Sequence, residues 1–120
     1  MKIYLSHLRD FDFENELYKP IRESVLNSKH EFFFPHESGE KINTKEIIKN
    51  SDLVVVEVSS PSFSQGIELG WADIFGVPIV CISKEGSKIS SSLKYISDSF
   101  ITYTNKKDFI IKLSDFLTLK

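Results

Sequence analysis

Residues 52–82 read DLVVVEVSSPSFSQGIELGWADIFGVPIVCI. Val54, Val55, Val56 and Val58 form a β-branched run, which suits a pleated, buried surface. Ser59, Ser60, Pro61, Ser62, Ser64 and Gly66 follow as turn formers. From Ser64 to Phe75 the apolar residues recur at helical spacing, and Gly76 with Pro78 marks the stop. Pro78–Ile82 is a second apolar strand. Strand, loop, helix and strand in about 30 residues is the size of a βαβ crossover.

The rest of the chain extends this unit. The Asp52–Val58 strand is apolar almost throughout, as in parallel sheets covered on both faces. Upstream, residues 2–6 read as a first strand and 31–35 as a second. Between them Phe13, Leu17, Ile21 and Val25 lay one stripe along a helix over 12–27, with Asp12 as its N-cap. Pro20 is expected to kink or interrupt that helix. Residues 38–43 are loop-like, and 44–50 form a short helix held by Ile47 and Ile48. Downstream, 83–92 is a loop, 92–97 adds a helical turn and 100–103 is a fifth strand. Residues 106–119 make an amphipathic helix on Phe109, Ile110, Leu113, Phe116 and Leu117, with Asn105 and Asp108 spaced as a capping pair.

Strands alternating with helices predict an α/β fold with right-handed crossovers. The expected architecture is a single three-layer, flavodoxin-like domain over residues 1–120. Its five-stranded parallel sheet has the order 2-1-3-4-5, with helices on both faces. The site of such a sheet lies beyond the carboxyl ends of strands 1 and 3. Three segments should meet there: His7–Asp10, His36–Glu37 and Glu57–Glu68.

Composition narrows the function classes. The chain has 120 residues, 41% apolar and 27% charged, which suits one core. The net charge of −2 comes without a Lys/Arg block, arguing against polymeric nucleic acid but leaving a single nucleotide open. Cys81 is the sole cysteine, so neither an intrachain disulfide nor a cysteine metal cluster is available. No metal or redox cofactor is indicated. The start, MKIYLSHLRD, reads as a strand rather than a signal peptide. No apolar run approaches the roughly 18 residues of a membrane span, so a cytoplasmic location is expected.

Two features carry chemistry. The loop Ser59–Gly66 enters a helix N-terminus, where N–H groups and the helix dipole favour an anion. Ser62, Ser64 and the Gly66 backbone are its candidate donors, and an ordinary capped helix reads equally well. No Gly-Lys-Ser or Gly-Lys-Thr follows, so it is not a P-loop. Glu68 shares a stripe with Ala72 and Phe75, beside a second stripe of Ile67, Trp71 and Ile74. A helix this apolar is buried on more than one side, and Trp71 is the expected anchor of a subunit interface. Glu68 itself reads either as a dipole-compatible acid or as a functional carboxylate.

The sequence resembles the nucleoside 2-deoxyribosyltransferase family and its hydrolytic relatives, the 2′-deoxynucleoside 5′-phosphate N-hydrolases. The matching residues are MKIYL at 1–5, SDLVVVEVSSPSFSQGIELGWA at 51–72 and GVPIVCI at 76–82. The resemblance implies a flavodoxin-like fold and a homodimer or higher homo-oligomer. It implies that Glu68 attacks the anomeric carbon of a sugar and holds it as an ester, resolved by a base or by water. It places Ser62, and Arg9 to within one residue, on a 5′-phosphate. Ser92 falls where a serine of a neighbouring subunit reaches that phosphate. The first loop, Ser6-His7-Leu8-Arg9-Asp10, lacks the glycines usual in the family, and Thr44 stands where the family has an acid/base Asp. His36, Glu37 and His7 are the candidate substitutes; a histidine titrates near neutrality. Glu57 is a candidate for orienting a sugar hydroxyl, with capping of the strand end as the alternative. Asp52 is expected to close the start of its strand, away from the site.

The leading expectation is therefore an enzyme acting at the N-glycosidic bond of a (deoxy)nucleoside or its 5′-monophosphate, with Glu68 and His36 catalytic. His7, Arg9, Glu57, Ser62, Ser64, Gly66 and Ser92 are expected to bind substrate. The alternative is a nucleotide-binding module without turnover, which has lost the acid at Thr44. An NAD-cleaving domain of the Toll/interleukin-receptor type also resembles this layout, but GIELGWA fits it poorly.

Overall fold

The computed structural model describes the chain except residues 9–10, 36–41, 61 and 120. Its strands are β1 (Lys2–Ser6), β2 (Glu31–Phe33), β3 (Leu53–Glu57), β4 (Ile79–Lys84) and β5 (Ser99–Tyr103). They form one parallel sheet in the order β2-β1-β3-β4-β5. β1 and β3 are the inner neighbours on either side of the switch point, with Ile3 opposite Leu53 and Ser6 opposite Val56.

Pleating divides the core in two. Ile3, Leu5, Leu53, Val55, Val80 and Ile82 face one side, against Leu17, Tyr18, Ile21 and Leu26 and against Phe109, Leu113 and Leu117 of α5 (Lys106–Thr118). Tyr4, Val54, Val56, Ile79 and Cys81 face the other side. There they meet Ile48 of α3 (Thr44–Lys49), Leu69 and Ala72 of α4 (Phe63–Ile74), and Leu93 of a 3₁₀ turn, Ser91–Tyr95. Successive strand side chains point to opposite faces, so one residue of displacement decides which helical layer a side chain meets. Among the described residues no helix is long and apolar enough to cross a membrane.

The helix expected over 12–27 differs in the structure. A π-helical turn, Glu14–Tyr18, runs into α1 (Lys19–Arg22), and α2 (Leu26–Lys29) follows after a break. Pro20 sits in the first turn of α1, where its missing N–H is tolerated. The break comes later, at Glu23–Val25. There the Ser24 hydroxyl donates to the Ile21 carbonyl at 2.7 Å and accepts from the Leu26 N–H at 3.2 Å. A hydroxyl that competes for backbone groups in this way ends a helix locally. The second strand is also shorter than expected. Phe34 leaves it to pack over the Arg22 guanidinium, 4.2 Å from the ring centre.

Other signals act where the pattern put them. Gly76, at φ 71°, ends α4, and the Val77 N–H reaches back to the Ala72 carbonyl at 2.9 Å. Asn105 caps α5 by accepting from the Asp108 N–H at 2.9 Å, while Asp108 accepts from the Thr104 N–H. Asp52 accepts from the Lys2 N–H at 2.8 Å, which ties the start of β1 to β3.

Candidate active site

Glu68 lies in the second turn of α4, half-buried. Its carboxylate is held from below by β1: the Tyr4 hydroxyl donates to Oε2 and the Ser6 hydroxyl donates to Oε1 at 2.8 Å. Tyr4 and Ser6 are two apart in the strand and so share a face. Tyr4 is fully buried and stacks on Phe33 with ring centres 5.7 Å apart. Thr44 opens α3, on the same face of the sheet. Burial and the adjacent Glu68 carboxylate push the Tyr4 phenol far above its ordinary range. Tyr4 is therefore a permanent proton donor to Glu68, and the carboxylate is oriented by two hydroxyls. An oriented carboxylate at the carboxyl edge of a parallel sheet is equipped to attack an electron-poor carbon.

Trp71 lies on the Glu68 side of α4 and packs into the core cluster beneath α3 and α4, with the Lys45 ammonium 5.8 Å from its ring centre. It covers the seam between the two helices and stays half-buried there. The exposed apolar stripe of α4 is Phe63, Ile67 and Ile74, at 96%, 55% and 82% exposure.

A second group of residues surrounds the helix N-terminus. Ser62 is the N-cap residue, in extended conformation, and its side chain makes no cap hydrogen bond. Ser62, Gly66 and Ser92 line one cavity of about 550 Å³, with Lys88 and Ser90 on the same rim and Leu69, Leu93 and Ile96 as apolar wall. Ser62 and Ser92 thus meet within one chain. The Gly66 N–H is donated to the Ser62 carbonyl at 3.1 Å. The N–H groups ahead of that ladder belong to Phe63, Ser64 and Gln65. Ser64 is exposed in the first turn. Gly66 is about 200° around the helix from Glu68, so the cavity and the carboxylate lie on opposite flanks of α4 and share its N-terminal end.

His7 and Glu57 are not brought to Glu68. Both follow the opposite parity from Ser6 and point to the other face of the sheet. His7 is buried; its Nδ1 lies 3.0 Å from the Leu8 carbonyl and its Nε2 lies 2.6 Å from the Tyr18 hydroxyl. The carbonyl only accepts, so Nδ1 carries a proton, and Nε2 pairs with the Tyr18 hydroxyl. Phe13 stacks on that ring at 4.7 Å. Glu57 is 3% exposed, and accepts from the Tyr103 hydroxyl and from the Ser59 N–H. His36, Glu37 and Arg9 lie outside the described residues.

Tyr4 and Ser6 are the site members that pattern reading passed over. The available signal was their shared parity on a strand at the switch point. Cys81 is buried, and burial pushes its thiol up to about 11, so it is unreactive at neutral pH.

The fold and site define a three-layer parallel α/β protein of flavodoxin-like order with an oriented carboxylate at its switch point. Neither a family model nor a curated protein sequence matches the chain. Solved structures do. A CMP N-glycosidase, BcmB, of Clostridium botulinum superposes with a TM-score of 0.71 at 20% identity, over 95% of this chain and 99% of that one. A 2-deoxyribosyltransferase of Bacillus psychrosaccharolyticus gives 0.68 at 19% identity, over 91% and 90%. A conserved protein of Enterococcus faecalis gives 0.66 at 16% identity, over 96% and 98%. The fold implied by the family resemblance is thus the fold this chain has.

Proposed function

We propose that the protein is an enzyme that cleaves or transfers at the N-glycosidic bond of a (deoxy)nucleoside or its 5′-monophosphate. The observation that carries this reading is the Glu68 carboxylate, oriented by the Tyr4 and Ser6 hydroxyls. An oxygen of Glu68 forms a bond to the anomeric carbon as the bond from that carbon to the base nitrogen breaks. The base leaves with the electron pair. Water or a second base then attacks the same carbon, and Glu68 departs as carboxylate, the retaining logic of nucleophilic carboxylates. Two solved structures of this fold are a CMP N-glycosidase and a 2-deoxyribosyltransferase, which supports the bond class.

Ser62 and the first N–H groups of α4 would receive the 5′-phosphate, with Ser92 on the rim of the same cavity and Arg9 as a further phosphate ligand. Ser64, at the same helix end, completes the binding residues, whereas His7 and Glu57 bond to groups of the protein on the other face of the sheet. His36 supplies the proton to the departing base in place of the acid missing at Thr44. The protein works as a homodimer or higher oligomer, with Phe63, Ile67 and Ile74 as the face that closes it.

The test is incubation with a panel of nucleosides and 5′-monophosphates, with and without a free base, followed by chromatography of the products. Base release that disappears in Glu68→Gln supports the reading. No release from any substrate, or undiminished release in the variant, ends it.

The non-catalytic reading has one observation in its favour. Thr44, opening α3, stands where the family resemblance puts the acid, and a threonine has no acid to offer a departing base. A monophosphate that raises the melting temperature and is never cleaved would select this reading.

A further inference from the structure

The chain buries a second carboxylate that the proposed chemistry does not use. Glu57 ends β3, one residue before the loop that leads to Ser62, and its side chain points away from Glu68. It is 3% exposed, and its oxygens are fully committed to the protein's own groups. Oε1 accepts from the Ser59 N–H at 2.6 Å, and Oε2 accepts from the Tyr103 hydroxyl on the last strand. Its backbone carbonyl accepts from the Gln65 side-chain amide, reaching back from α4. Gln65 is itself 4% exposed. A fourth contact closes the loop from the neighbouring strand: the Ser59 hydroxyl accepts from the Lys84 N–H at 2.9 Å.

These contacts fix both ends of the loop. The start is held by Glu57 and Lys84 through Ser59. The end is held by Gln65, one turn into the helix that Ser62 begins. An unpaired buried carboxylate is costly, so its two donors hold their geometry firmly. Glu57 thus takes the Ser59 N–H, and Ser62 begins the helix without a side-chain cap bond of its own.

We infer that Glu57 is a positioning residue, which holds Ser59 and, through Gln65, the first turn of α4, so that the helix end at Ser62 receives the phosphate of a 5′-monophosphate. Tyr103 and Gln65 are its supports. This rests on the anion role proposed for Ser62, and it extends that role to a residue on the opposite face of the sheet. It does not depend on turnover.

The experiment compares affinities in the Glu68→Gln protein, which keeps ligands intact during the measurement. Calorimetry with AMP, GMP, CMP, UMP and their nucleosides gives the preference for monophosphate over nucleoside. Adding Glu57→Ala removes both acceptors and should weaken monophosphate binding about tenfold, the scale of one lost hydrogen bond to a charged group. Nucleoside binding should stay within about twofold, as no contact to the sugar or base is removed. Glu57→Gln keeps one acceptor for Ser59 and an amide for Tyr103, and should restore most of the loss. Tyr103→Phe should produce the same split at a smaller size, and it stands in if Glu57→Ala fails to fold. Equal weakening of both ligands in Glu57→Ala and Tyr103→Phe, or no weakening, overturns the inference. So does a parent protein with no monophosphate preference. Base release by the wild type judges the catalytic reading separately.

Discussion

The Tyr4 hydroxyl of β1 donates to Glu68 on the helix above it, across 64 positions of sequence. Ser6 completes the support from two residues further along the same strand. The position of the carboxylate is thus written in β1 as much as in α4. Variants of β1 separate catalysis from folding more cleanly than variants of the helix.

Tyr4→Phe keeps the ring stacked on Phe33 and removes one donor from Glu68. Base release should slow by about tenfold to a hundredfold, with KM nearly unchanged, because the lost bond orients the attacking group. The melting temperature should fall only a few degrees, in line with a cost of about 1–2 kcal/mol. Single-turnover release with excess enzyme measures the chemical step directly. An unchanged rate would remove Tyr4 from the account.

Thr44→Asp tests whether the missing acid can be put back. Thr44 opens α3, the helix packed beside α4. If the position serves the departing base, the variant should release bases faster by about tenfold or more, and most for bases that leave poorly. Slower release for every base would mean that a second carboxylate beside Glu68 only repels it. Comparing a good and a poor leaving base decides between them.

Stability should fall steeply in strong alkali. Tyr4 and Tyr103 both have phenols raised above the ordinary value of 10.0, Tyr4 through burial and Glu68, and Tyr103 through burial and Glu57. Each raised phenol contributes stability that is complete below pH 10 and is lost as pH rises beyond it. The unfolded chain releases the proton there and the folded chain keeps it. The slope should be about 1.4 kcal/mol per pH unit for each tyrosine above about pH 10. Urea titrations at several alkaline pH values read it, and Tyr103→Phe should shallow the slope by one proton. A wild-type stability flat through this range would contradict the buried donors.

Ile67→Glu and Phe63→Glu place charge on the exposed stripe of α4 and touch neither core cluster. Light scattering after size exclusion should show the wild type at twice the chain mass or more, and the variants at the mass of one chain. A wild type eluting as a single chain would leave the stripe without the partner proposed for it.

The strand order was legible because β3 is apolar on both faces and strands alternate with helices; the parallel crossover follows from these two facts. Glu68 was legible as the one acid near the start of an apolar helix. Its supports were harder to read. Tyr4 and Ser6 look like ordinary strand residues, and only the tertiary pairing of β1 beneath α4 gives them a role. His7 and Glu57 show the reverse. Grouping residues by the end of the sheet brought them to Glu68, whereas the pleat sends them to the other layer. Strand parity is in the sequence, and it separates Ser6 from His7 before any coordinates are known. The helix break near residue 24 was hidden because Pro20 drew attention from Ser24, whose hydroxyl makes the competing bonds.

β1 pairs with β3 through Ile3 and Leu53, about fifty residues apart in the chain. A loop of that length closes slowly compared with a helix or a hairpin. Tyr4 and Ser6 come under Glu68 only after this closure and after α4 has docked. The two hydroxyl contacts are therefore a late event in folding, and their appearance marks a finished sheet. A label confined to the Tyr4 ring, such as a fluorotyrosine signal assigned to that position, would time the completion of the site and the folding of the chain in one trace.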